Sequence, residues 1–351
     1  GPLIFSDFNT NIIVEKGWKI RLLDSGAFEI FRLNSENISK NKNKYEYTPE
    51  LLEIFNNLFY SIADQMGVVL KNTAQSINVK ERLDFSCALF DRRGNLIANA
   101  PHIPVHLGSM GETIKYLIKK NKNEFLKGCS LLHNNPFNGG THLPDLTLVT
   151  PYLDNKRNIL FYLANRAHHS DIGGISPGSM PAFSKNIFEE GILINSFIIL
   201  DKNKIKEKEI LNLLSNSEYP SRDPLQNLYD IKAQIASCKR GVTEVQRIIK
   251  SFGLKTVLMY SKHVQENSRL AIKRAIEKIP TCKGSTTLDN NSIIKINIYY
   301  SKKKNKLVFD FKGTSSQLVD NFNTPNAITK SVIIYFLRTL IKESIPLNEG
   351  C

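Results

Sequence analysis

The run Leu146-Thr-Leu-Val-Thr-Pro-Tyr-Leu153, then Asp154-Asn-Lys-Arg-Asn158, then Ile159-Leu-Phe-Tyr-Leu163, decides how this chain folds. Two short apolar runs joined by a polar turn read as an antiparallel hairpin. A turn centred near Lys156 pairs residues whose numbers sum to about 312, so Asp145 is expected opposite Ala167 and Pro144 opposite His168. Outward from this hairpin the same pattern recurs. Residues 84–91 and 96–99 flank the turn Arg92-Arg93-Gly94-Asn95, and residues 292–300 and 306–311 flank Lys302–Lys304.

Helical signals fall in separate blocks. Thr48-Pro49-Glu50 supplies an N-cap, a proline at the first helical position and an acid in the first turn. Leu51, Ile54, Phe55, Leu58, Phe59, Ile62, Ala63 and Met66 follow at helical spacing. A shorter helix is expected near residues 111–120, two long amphipathic helices over 223–252 and 254–278, and a last buried helix over 324–341. Blocks of strands and helices, rather than βαβ alternation, predict an α+β fold with mixed or antiparallel sheets and long amphipathic helices.

Residues 1–33 read as short strands around Lys16-Gly17 and Ser25-Gly26, residues 34–47 as a polar linker, and residues 48–351 as the main domain. The chain starts at Gly1 without Met and stops at Cys351 directly after Pro346-Leu-Asn-Glu-Gly350, so it reads as a fragment of something longer.

Composition removes several classes. With 351 residues, 41% hydrophobic and 23% charged, the chain is neither disordered nor collagen-like. No uninterrupted apolar run reaches the length of about 18 residues that a membrane helix needs. Cys87, Cys129, Cys238, Cys282 and Cys351 are widely spaced with no CxxC pair, which suits a reducing cytoplasm. The net charge is +14, yet Lys is scattered among Asn and lacks interleaved aromatics, which argues against nucleic-acid binding. A non-catalytic basic binding module stays open as an alternative. There is no GxGxxG or Walker loop, so no nucleotide-binding residues are assigned.

The chemistry concentrates in the middle. Six of the seven histidines lie between residues 102 and 169. Gly139-Gly-Thr-His-Leu-Pro-Asp145 precedes the first strand of the hairpin and Arg166-Ala-His-His-Ser-Asp-Ile-Gly-Gly174 ends the second. His142, Asp145, His168 or His169, and Asp171 should therefore converge at one end of it. Two imidazoles and a carboxylate suit Mn, Fe or Zn with positions left for water and substrate. The bland alternatives are histidines that satisfy buried carbonyls, or an acid–base pair without metal. Gly140, Gly173 and Gly174 fit close backbone approach to a ligand. Glu190, within Glu189-Glu190-Gly191, reads as a base, a supporting partner or a solvated turn. Arg222 could anchor a substrate carboxylate, with Asp223 as a helix N-cap explaining part of that motif. His102 and His106 are four apart, but the adjacent prolines disfavour a helix that would align them. Cys87 sits in an apolar strand and reads as core.

Glu81-Arg-Leu-Asp-Phe-Ser-Cys-Ala-Leu-Phe-Asp91, Pro104-Val-His-Leu-Gly-Ser-Met110, the two motifs above and Pro177-Gly-Ser-Met-Pro181 resemble the hydantoinase B family. That family includes the N-methylhydantoinase B subunit, the acetone carboxylase alpha subunit and the C-terminal half of ATP-dependent 5-oxoprolinase. The resemblance runs from about Thr48 to Cys351. The first 33 residues resemble the end of a hydantoinase A half, and that junction resembles the fused 5-oxoprolinase rather than separately encoded subunits.

The resemblance implies a cytoplasmic cyclic-amide hydrolase of glutathione metabolism. It opens 5-oxo-L-proline to L-glutamate, with ATP used by a hydantoinase A-like half in cis; a homo-oligomer is compatible with it. It implies a divalent metal on His142, Asp145 and His168, with His169, Asp171 or Glu190 orienting ligands or moving protons. The fragment alone is expected to lack ATP-dependent activity. An N-methylhydantoinase B or ketone carboxylase component is the alternative within the family. One departure stands out: the family pattern Asn-Asp-Pro is Asn134-Asn135-Pro136 here, and an Asn can act neither as base nor as anionic ligand.

Overall fold

The computed structural model describes residues 2–7, 10–32, 47–101, 109–341 and 345–351, and the chain divides into two units, Gly1–Glu46 and Tyr47–Cys351. The linker expected over 34–47 lies, up to residue 46, outside the described residues, as do His102 and His106. In the first unit β1 (Leu3–Asp7) pairs with β2 (Thr10–Val14), and β3 (Trp18–Leu22) pairs with β4 (Phe28–Arg32), both antiparallel. Gly26, with φ of 81°, makes the expected tight turn between β3 and β4.

The second unit opens with α1 (Pro49–Thr73), where the Thr48 hydroxyl accepts the Leu51 amide at 3.2 Å. Its buried stripe is Leu52, Phe55, Phe59, Ile62, Ala63, Met66 and Leu70, while Ile54 is turned outward. There follow α2 (Ile77–Lys80), β5 (Phe85–Asp91), β6 (Leu96–Pro101), α3 (Ser109–Lys120), α4 (Lys122–Leu126), β7 (Ser130–His133), β8 (Asp145–Leu153) and β9 (Ile159–His168). The chain continues through α5 (Ile187–Glu190), β10 (Phe197–Asp201), β11 (Lys204–Ile205), α6 (Glu207–Ser215), α7 (Pro224–Phe252) and α8 (Leu254–Ile276). It ends with β12 (Cys282–Thr287), β13 (Ile293–Ser301), β14 (Lys306–Asp310) and α9 (Asn326–Thr339).

Seven strands form one sheet in the order β11-β10-β7-β8-β9-β5-β6, with its recorded pairs antiparallel. The fold is α+β, as expected. Helices α1 and α7 cover one face of the sheet. On the other, Ala88, Phe90, Val149, Tyr162 and Ala164 meet Ile114 and Leu117 of α3 and Phe125 of α4. Cover on both faces explains why β5 reads as a continuous apolar run with Cys87 buried inside it, rather than as an alternating one.

Three expectations change. The hairpin register sums to 313 over most of its length, with Asp145 opposite His168 and Leu146 opposite Ala167. A bulge causes this: Leu153 faces Ile159 but Tyr152 faces Phe161, so Leu160 is an extra residue in β9. The last helix is not buried along its length. It buries Ala327 and Ser331, exposes Val332 and Tyr335, and is tied to α3 by a Lys330–Glu112 ion pair of 2.8 Å. Finally, the expected C-terminal hairpin is a three-stranded sheet, because β12 pairs with β13.

Candidate metal centre

The one-residue shift decides the site. Side chains alternate across a strand, so Asp145 and His168, directly opposed on β8 and β9, stand on the face that also carries Thr147 and Arg166. The turn leading into β8 folds back, with the Asp145 amide donating to the His142 carbonyl at 3.1 Å, and this returns the His142 ring to Asp145. The His168 amide, in turn, is held by the Asp84 carbonyl at 3.0 Å.

Three ligand atoms result. Asp145 Oδ1 lies 3.1 Å from His142 Nε2 and 3.1 Å from His168 Nδ1, and the two nitrogens are 3.2 Å apart. Asp145 Oδ2 accepts a short hydrogen bond from the Thr141 hydroxyl. Two ligands set at right angles around a first-row metal at about 2.1 Å are about 3.0 Å apart, so this triangle matches one face of an octahedron. Asp145 is buried, His168 nearly so, and His142 is 38% exposed, which leaves one side open. Burial opposes charge on His142, but the hydrogen bond and charge of Asp145, with Asp84 behind, hold its pKa above the ordinary value.

His142 and Thr141 line a cleft of about 710 Å³ together with Glu190 and residues of the 184–187 and 317–326 segments. Glu190 thus shares the open side, with its Oε1 held by the Ser184 hydroxyl at 3.1 Å.

The other expected site residues have different work. His169 follows His168 but turns to the opposite face and is fully buried. Its Nδ1 accepts from Asn227 Nδ2 at 3.1 Å and its Nε2 donates to Gln234 Oε1 at 3.2 Å, both on α7. Burial lowers its pKa, and both ring nitrogens are engaged by α7. Asp171 is consumed by the loop that follows: it accepts the amides of Gly173 at 2.9 Å, Gly178 at 2.9 Å and Arg222 at 3.1 Å. The Arg222 guanidinium completes that cluster, at 2.8 Å from Asp171 Oδ2 and 3.0 Å from the Gly174 carbonyl, with its side chain 41% exposed.

The glycines approach the chain's own backbone. A Cβ would meet the Asn134 carbonyl at 2.5 Å from Gly140, the Tyr219 carbonyl at 2.2 Å from Gly173, and the Glu189 carbonyl at 2.7 Å from Gly174. Their smallness serves packing of loops against loops. Asn135 caps the turn that follows it, accepting the Phe137 amide at 2.9 Å.

Sequence reasoning passed over two residues. Thr141 was visible only as a letter between Gly140 and His142. Arg166, at i−2 from His168 and so on its face, is the largest fully buried side chain among the described residues. The i, i+2 spacing was the available signal.

Residues 48–351 match the family model Hydantoinase B/oxoprolinase. The chain is 42% identical to 5-oxoprolinase of Saccharomyces cerevisiae and 38% identical to 5-oxoprolinase 1 of Arabidopsis thaliana, in each case over 100% of its own length. It spans 28% and 30% of those relatives. Among solved structures it superimposes on the ATP-dependent caprolactamase from Pseudomonas jessenii with a TM-score of 0.75 at 21% identity, covering 87% of this chain and 52% of that one. That likeness is one of fold.

Proposed function

We propose, from the premise that this chain belongs to the Hydantoinase B/oxoprolinase family, that it forms the ring-opening part of an ATP-dependent hydrolase acting on 5-oxo-L-proline. The observation that carries this reading is the triangle of His142, Asp145 and His168, of which His142 opens onto a cleft large enough for a small cyclic amide. Support for the fused 5-oxoprolinase type comes from residues 1–46. They precede the family match at residue 48, yet the two 5-oxoprolinases align with the chain over its whole length.

In this reading His142, Asp145 and His168 hold a divalent ion of the Mn, Fe or Zn class. Such an ion, when bound, would lower the pKa of a water towards neutrality. A hydantoinase A-like half in cis transfers the terminal phosphoryl group of ATP to the lactam oxygen, which ends the amide resonance that protects the ring. Water then adds to that carbon, the C–N bond opens, and a second water releases phosphate, leaving L-glutamate and ADP. Glu190 takes the proton from the attacking water and returns it to the departing nitrogen. Thr141 keeps Asp145 Oδ2 occupied so that Oδ1 faces the imidazoles. The Asp171–Arg222 cluster orders the loop that carries Gly173 and Gly174. All five cysteines are free, which supports a cytoplasmic setting.

The test joins this chain to a hydantoinase A half and measures glutamate formed from 5-oxoproline and ATP. Wild type should form it, and the triple His142→Ala, Asp145→Ala, His168→Ala variant should fall by at least about a thousandfold. Undiminished glutamate formation by the triple variant would overturn the assignment.

A further inference from the structure

Arg166 is 0% exposed, and a guanidinium removed from water loses its hydration unless its surroundings replace it. On that face of the sheet it stands between the apolar Tyr162, Ala164 and Val149 on one side and the polar Thr147, Asp145 and His168 on the other. Its donors reach Thr147 Oγ1 at 2.8 Å, Ser109 Oγ at 2.7 Å, Thr113 Oγ1 at 2.9 Å and the Gly139 carbonyl at 3.3 Å. Those acceptors are three hydroxyls and a carbonyl, drawn from three separate pieces of chain. The Thr113 hydroxyl passes the clamp on by donating to the same Gly139 carbonyl at 2.6 Å. Gly139 itself has no slack, since a Cβ there would lie 2.4 Å from the Thr113 nitrogen. Two residues further on stands Thr141, whose hydroxyl holds Asp145 Oδ2.

We infer that Arg166 is a positioning residue of the metal site: it clamps the Gly139–Thr141 turn onto α3 and β8, so that Thr141 fixes the Asp145 carboxylate with Oδ1 between His142 and His168. This inference rests on the metal reading of the triad. The path is continuous and short, running from the guanidinium through the Thr113 hydroxyl and Gly139 carbonyl to Thr141 and Asp145. A purely apolar filler in the Arg166 position could pack the same space, but it could not hold the turn. Partners that orient a metal-binding carboxylate typically change metal affinity by about 10–100-fold when removed.

Co²⁺ titration of the purified chain tests it, read by calorimetry and by the ligand-field absorption of the bound ion. Wild type should bind one ion, and His168→Ala should abolish binding. If both proteins behave alike, the metal reading fails and takes this inference with it. If the triad binds Co²⁺, Thr141→Val and Arg166→Lys should each weaken it by about 10–100-fold and alter the absorption band. The double variant should be no more than about threefold weaker than the worse single, because both changes cut one path. An Arg166→Lys protein that melts earlier but binds Co²⁺ within threefold of wild type, with an unchanged spectrum, would make Arg166 a structural residue only. Multiplicative losses in the double variant would overturn the shared path. Should Arg166→Lys fail to fold, Thr113→Val keeps the guanidinium, cuts the same link and takes its place in the cycle.

Discussion

His168 and His169 are consecutive, of one residue type, and stand at the end of one strand, yet they live in different chemistry. His168 faces Asp145 and His142 beside an open cleft, where three ligand atoms lie close enough to meet one cation. His169 faces α7, where two amide side chains engage both its nitrogens and burial keeps it neutral. The pleat alone separates them. A histidine motif is therefore half a description; the strand register supplies the other half by saying which imidazole meets a charge and which meets an amide.

The sharpest way to break this contrast is to remove each ring in turn. His168→Ala should cost at least about a hundredfold in Co²⁺ affinity, more than an outer partner would, while thermal stability changes little. His169→Ala should do the reverse. It leaves Gln234 Oε1 without its donor and Asn227 without one acceptor, at about 1–3 kcal/mol for each group left unpaired, so the melting temperature falls while Co²⁺ affinity stays within about threefold. A stable His169→Ala protein that has lost the metal would show that the two rings share one function.

Acid should sharpen it next. His133, on β7, is the other fully buried histidine among the described residues, with Nε2 donating to the Asn138 carbonyl at 3.2 Å. Burial, with the nearby Arg166 charge adding to it, pushes its pKa down to about 4 from 6.5. The unfolded chain therefore takes up a proton that the folded one refuses as pH drops below 6.5, and stability is lost from there down to about 4. His142 has the opposite sign: its raised pKa favours the folded state at low pH, and that contribution disappears as pH rises through the raised value. Denaturant unfolding of wild type and His133→Gln at pH 7 and pH 4.5 isolates the first effect. The wild type should lose about 2–3 kcal/mol more than the variant over that interval. Parallel losses would mean that His133 is solvated when folded.

Much of the architecture was legible because its signals are local. Thr48-Pro49, the Arg92–Asn95 turn and the long helices α7 and α8 depend on neighbours in sequence. What could not be read depends on partners far along the chain or on a single residue. Leu160 shifts the hairpin by one position and no composition rule marks it. Strand β12, Cys-Lys-Gly-Ser-Thr-Thr, has no apolar alternation and exists through its pairing with β13. Asp171 and Arg222, each plausible as a site residue alone, neutralise one another across 51 positions. The wall of the cleft from residues 317–326 comes from a segment in which no site residue was expected. The triad itself survived the register error because Asp145 and His168 were expected at most one position apart, so the cluster was legible even though the exact opposition was not.

The smallest expected effect concerns Asn135, the departure from the family pattern. If the family Asp were a ligand or base, restoring it here would change the metal site. The geometry argues otherwise. Asn135 Oδ1 accepts the Phe137 amide at the start of a short helical turn, and Asp accepts that bond equally well at such a position. An anion at the start of a turn is favoured by the exposed amides, whereas the burial of Asn135 opposes it, and the two effects offset one another. The carboxylate that does face the imidazoles is Asp145, already present and already held by Thr141. Asn135→Asp should therefore shift stability by no more than about 0.5 kcal/mol and Co²⁺ affinity by no more than about twofold. A tenfold tighter Co²⁺ affinity, with a changed absorption band, would place a second carboxylate in the site and make the wild-type Asn135 the reason this chain departs from its family.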